Sequence, residues 1–170
     1  MPKDSMTPKE RWTAVLQREK PDRVPLFWSS TQETLNNTKK YLGVSENSEL
    51  FKVLHIDEII SVFPDYIGPE FPEGTDFFGC GFKEVSYGTG VYSECVYHPL
   101  AQFESIEEIK KNYKFPSIDW FDFSGIKKQI CGKEHLPLYG GGMEIFLRYR
   151  QLRGFERAMI DIIEKPEMVE

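Results

Sequence analysis

Three short apolar runs separated by helical stretches constrain this chain more than any other feature. They are Val24-Pro25-Leu26-Phe27-Trp28, the β-branched run over 56–63, and Leu136-Pro137-Leu138-Tyr139. Each is too short for a buried helix and is bounded by turn residues, so each reads as a strand. Between the first two, a helix starts at Ser30 or Thr31, carries Leu35 and Leu42 toward the core and stops at Gly43. A shorter helix from Ser48 follows, with Leu50, Phe51 and Leu54. Strands alternating with helices predict parallel βα units.

The remaining segments fit around that frame. Thr7, Pro8 and Glu10 form a complete helix start, a hydroxyl cap, a proline at the first helical position and an acid three residues after the cap. Trp12, Val15 and Leu16 then give this helix, within 1–22, one apolar face. The stretch 68–99 is rich in turn residues and carries two strand-like pieces, 82–87 and 91–97, around Gly88-Thr89-Gly90; it reads as a β-hairpin insertion. Ser105 opens a capping-box helix to about Tyr113, and Asp122 or Ser124 opens another to Cys131. A helix with Phe146 and Tyr149 follows the last strand, Gly154 breaks it, 155–163 forms the next, and 165–170 begins one more. A closed barrel takes ~250 residues, so residues 1–170 are expected to be one partial α/β domain. The expected architecture is the N-terminal half of a TIM (β/α)8 barrel with a helical extension in front.

Net charge of −6, with only short basic pairs, gives no concentrated cationic face, which argues against nucleic acid as a partner. No run approaches the ~18 apolar residues of a membrane span. Met1-Pro2-Lys3-Asp4-Ser5 has no apolar signal region, and three cysteines at wide spacing make no disulfide framework. A reduced cytoplasmic protein is expected.

The motifs resemble one family. The opening over 6–25 is similar to the start of the uroporphyrinogen decarboxylase superfamily, which also contains corrinoid-linked methyltransferases. Leu54-His55-Ile56-Asp57 resembles its helix-to-strand passage. Phe63-Pro64-Asp65-Tyr66-Ile67 looks like the decarboxylases' Phe-Ser-Asp-Ile-Leu motif, whose aspartate contacts pyrrole N–H groups. Pro99-Leu100 with 105–109 is similar to the methyltransferase-like branch, and 136–142 with 152–156 resemble a later strand and its helix. Decarboxylases carry Arg-Gln-Ala-Gly-Arg soon after the first strand to neutralise substrate carboxylates. Here Trp28-Ser29-Ser30-Thr31-Gln32-Glu33 stands in that place, with no arginine. An octacarboxylate would find no bidentate guanidinium there.

Two candidate catalytic residues emerge. Asp65 follows a predicted core strand, at the end where barrel chemistry gathers; turn initiation or helix capping is its plain alternative. Glu144, just after Gly140-Gly141-Gly142-Met143, is placed to accept a proton or to complement a helix dipole. Candidate substrate-binding residues are Trp28 and Ser29 at the first strand's end, Tyr66, Gly141 and Gly142 in a βα turn whose N–H groups suit an anion, and Tyr149 and Arg150. Cys80, Cys95, Cys131, His55, His98 and His135 lack metal-ligand spacing, so no metal site or other cofactor is expected in this chain.

By resemblance, the expected activity is methyl transfer between a small methylated substrate or thiol and a corrinoid protein. That resemblance implies zinc held by a His-x-Cys pair and a later Cys in the barrel's second half. Uroporphyrinogen decarboxylation is the alternative. A non-catalytic half-barrel acting in binding or assembly, paired or homodimeric, is the second.

Overall fold

The structure, a computed structural model, describes residues 4–142 and 144–169. Met1, Pro2, Lys3, Met143 and Glu170, the last of which falls in the helix start expected over 165–170, lie outside the described residues. The first elements are α1 (Pro8–Leu16), α2 (Gln32–Leu42), α3 (Asn47–Val53), β1 (Ile60–Ser61) and β2 (Asp65–Tyr66). Then come β3 (Gly81–Ser86), β4 (Val91–Tyr97), α4 (Ile106–Asn112), β5 (Phe121–Asp122) and α5 (Ile126–Ile130). The last are β6 (Leu138–Tyr139), α6 (Ile145–Arg153) and α7 (Phe155–Glu164). The fold is mixed α/β. Its strands form three two-stranded sheets, β1-β6, β2-β5 and β3-β4, and none closes into a barrel among the described residues. The chain forms two compact units, Met1–Pro64 with Phe123–Gly141, and Asp65–Asp122 with Gly142–Glu170.

In the first unit, α1 begins as its sequence dictates. The Glu10 N–H donates to the Thr7 hydroxyl at 3.2 Å, and the Thr7 N–H donates to the Glu10 carboxylate at 2.7 Å. Its buried residues, however, are Arg11 and Ala14, while Leu16 is 80% exposed. The apolar face expected at Trp12, Val15 and Leu16 is therefore not the packed one; buried carboxylates pull Arg11 inward instead. Thr31 caps α2 and Gly43 ends it in the left-handed region at φ 67°. Leu35 and Leu42 are half-buried.

β1 and β6 run parallel in the register Ile60↔Leu138 and Ser61↔Tyr139. The sense agrees with a βα reading, but the ladder is far shorter than 56–63. Phe63 shows why. Its backbone N–H and C=O are both taken by the Gln129 side-chain amide, at 3.3 and 2.8 Å, so a side chain stands where a third strand residue would pair. Ile60, Val62 and Leu136 form this unit's core with Ile126 and Ile130 against them.

The run 24–28, expected to be a strand, joins no ladder among the described residues, and Val24 and Phe27 are exposed. Pro25 has no N–H to offer. Leu26 donates to the Asp57 carboxylate and accepts from the Asp57 N–H, both at 2.8 Å. A carboxylate thus does the work of a neighbouring strand.

In the second unit, β2 and β5 are antiparallel, and Tyr66, Phe71, Phe77, Trp120 and Phe121 pack ring against ring around them. The hairpin forms as expected, β3 against β4 with Ser86 opposite Val91 and Gly88 at φ 91°. Cys80, Leu100, Ile109 and Leu152 make the core here. α6 passes into α7 through Gly154, whose φ of 83° and ψ of 147° suit glycine alone. Arg153 and Asp161 lock this corner: the guanidinium donates to Asp161 at 2.7 Å and to the Leu100 and Phe103 carbonyls.

Candidate functional site

The nine candidate residues divide between the units: Trp28, Ser29 and Gly141 belong to the first, and Asp65, Tyr66, Gly142, Glu144, Tyr149 and Arg150 to the second. Each group is therefore described by itself.

The first unit holds a cavity of about 260 Å³ beside Trp28. Phe27, Trp28, Phe51 and Tyr139 supply aromatic surface, Ile56 and Ile59 aliphatic surface, and Asp57, Glu58 and Ser61 polar groups. Ser61 and Tyr139 are opposite one another as the last residues of β1 and β6. That is the end at which parallel α/β sheets receive ligands. The Trp28 indole N–H donates to the Ser30 hydroxyl at 2.9 Å, which fixes the ring. Ser29, its neighbour, is exposed and does not line the cavity. Gly141 has φ 83°, and a Cβ there would meet the Phe63 ring at 3.1 Å, so a tight turn accounts for this glycine.

Behind the cavity lies a charge cluster that the sequence reading missed. Asp57, 1% exposed, accepts from Arg11 and from Arg23 at 2.6 Å. Arg11 also donates to Asp22 at 2.6 Å, and Arg23 to Asp4 at 2.9 Å. Two guanidinium groups face three carboxylates. Arg11 holds the Asp22 carboxyl far below its usual range, with the Met6 and Ser5 N–H groups assisting against burial. Arg23 likewise lowers Asp4. One sequence signal was available: Asp22-Arg23 precedes Pro25 by two residues, a charged pair at the entry to an apolar run.

In the second unit, Asp65 and Glu144 are exposed. Glu144 is the N-cap of α6 and makes no side-chain capping bond. Tyr66 donates its hydroxyl to the Pro69 carbonyl at 2.7 Å and stacks on Phe77, so it serves packing. The Tyr149 hydroxyl donates to Asp161 at 2.7 Å; burial and that carboxylate push it up to about 12. Tyr149 is thereby committed to the Arg153 corner.

Arg150 lines a second cavity, of about 430 Å³, with Cys95, His98, Gln151 and Phe155. The Gln151 carbonyl is a focus there. His98 Nδ1 lies 2.8 Å from it, the Cys80 thiol 3.4 Å and the Cys95 thiol 3.6 Å. Burial pushes the Cys80 thiol up to about 12 and raises Cys95 too, so both are thiol donors at neutral pH rather than nucleophilic thiolates. No spacing rule marks Cys80 with Cys95 and His98, because the hairpin and α6 bring them together.

Among the described residues, no group of three or more His, Cys, Asp and Glu side chains is arranged to hold a metal ion. No helix among them is long and apolar enough to cross a membrane. No protein-family model, curated protein or solved structure matches this chain.

Proposed function

We propose that this chain is the N-terminal half of a (β/α)8 barrel of the uroporphyrinogen decarboxylase superfamily, acting in methyl transfer between a small methylated substrate or thiol and a corrinoid protein. One observation carries the choice of substrate. The cavity at the ends of β1 and β6 is lined by Asp57 and Glu58 and by no lysine or arginine. The nearby guanidinium groups of Arg11 and Arg23 are already spent on Asp4, Asp22 and Asp57. A tetrapyrrole with eight carboxylates would meet like charge there, whereas a small neutral or cationic substrate would not.

The half-barrel reading draws on the parallel β1-β6 pair and on apolar side chains left exposed in each unit. On α7, Phe155, Met159, Ile160, Ile162 and Ile163 all face outward while only Ala158 and Asp161 are buried. A helix of that pattern is built to be covered. In this reading Trp28 and Tyr139 wall the substrate, Asp65 and Glu144 orient it, and zinc belongs to the other half-barrel. Zinc would supply a thiolate near neutral pH; the residues described here offer it no three-ligand set, so no step in this chain runs through it.

Titration with uroporphyrin, followed by its absorbance and by tryptophan fluorescence, tests the substrate choice. The expected result is no saturable binding. Saturable binding that Asp65→Asn abolishes would establish the decarboxylase reading instead.

A further inference from the structure

We propose that the cavity beside Trp28 binds a small methylated ammonium cation. The proposal names the substrate class of the methyl-transfer reading and rests on that reading for turnover, while the binding itself is independent of it.

The chemistry of the walls points to a cation. Phe27, Trp28, Phe51 and Tyr139 line the cavity, and the negative quadrupole of an aromatic ring attracts positive charge. Glu58 adds a carboxylate on the wall. Asp57, also on the wall, is already paired with Arg11 and Arg23, which leaves Glu58 to supply the wall's charge.

Methylation is the second requirement. A primary ammonium wants three acceptors, and this cavity is mostly hydrocarbon and aromatic ring. A methylated nitrogen has few or no N–H donors, spreads its charge over methyl groups and loses little hydration on entering such a site. The Trp28 indole N–H, the one ring donor on the wall, is already given to Ser30, so it does not call for an acceptor on the ligand. Size agrees: about 260 Å³ lies below the ~300–1,000 Å³ of sites for drug-sized ligands.

Isothermal titration of the protein with tetramethylammonium, against tert-butanol, a neutral alcohol of the same heavy-atom count and tetrahedral shape, tests the proposal. Tetramethylammonium should bind saturably and at least ~10-fold more tightly than the alcohol, and more weakly as salt is raised. Trp28→Ala should raise Kd ~10-fold, Trp28→Phe should restore most of the affinity, and Glu58→Gln should raise Kd several-fold. Equal affinity for the alcohol, no saturable binding of the cation, or indifference to both Trp28→Ala and Glu58→Gln would each overturn it. If the cation fails and uroporphyrin also fails to bind, only this proposal falls; if the cation fails and uroporphyrin binds, the methyl-transfer reading falls with it.

Discussion

Arg11 and Asp57, 46 residues apart in the chain, form an ion pair in which each side chain is only 1% exposed. The pair ties α1 to the start of the run that becomes β1. It also explains why α1 buries an arginine instead of its apolar side chains. A buried carboxylate without a cation is far costlier than the pair is favourable.

Arg11→Ala is therefore expected to destabilise the first unit by about 3 kcal/mol, the low end for a broken buried pair because Arg23 remains on Asp57. Urea unfolding followed by circular dichroism measures it. A loss under about 1 kcal/mol would mean the pair is solvated.

Acid should weaken the protein through the same groups. Asp22 and Asp4 have carboxyls lowered from 3.8 by Arg11 and Arg23, and Lys165 and Arg157 hold Glu104 at about 2 against an ordinary 4.5. A folded-state value below the unfolded one means the unfolded chain takes up more protons as pH falls. Stability from these groups is complete above pH 4.5 and declines as pH drops toward about 2. Urea midpoints across that window check the sign. The Glu104 share, being exposed, should shrink in high salt.

The legible parts of the fold were those written in local chemistry. Thr7 and Glu10 announced α1, Thr31 and Gly43 bounded α2, Gly88 marked the hairpin and Gly154 the break between α6 and α7. Each rests on one residue's backbone preference or capping group. The strands were less legible, because Leu26 pairs with a side chain of Asp57 and Phe63 with a side chain of Gln129, and apolar periodicity is blind to both. The candidate site was partly legible. Trp28 was singled out and lines a cavity, but Phe51, Glu58 and Tyr139, which share it, come from three separate segments. Tyr149 was singled out as substrate-binding and instead bonds Asp161, a contact made across the α6–α7 corner.

That corner gives a sharp test. At Gly154 a Cβ would sit 3.4 Å from the His98 ring, and φ of 83° disfavours any other residue. Gly154→Ala should cost about 1–3 kcal/mol and lower the melting temperature. An unchanged melting curve would show that the turn between α6 and α7 is not as described.

Cysteine accessibility tests the packing around Cys80. Cys131 is exposed, Cys95 partly buried and Cys80 fully buried. Under a native maleimide pulse read by mass spectrometry, Cys131 should label first, Cys95 slowly and Cys80 last. Labelling of Cys80 as fast as Cys131 would contradict the packing of Cys80 against Leu100 and Leu152.

The proposed open half-barrel is tested most directly by sedimentation velocity over a wide concentration range. The exposed apolar faces of α7 and of the run 24–28 predict concentration-dependent self-association, abolished when Ile160 and Ile163 are both changed to Glu. A single compact monomer at every concentration would contradict the account.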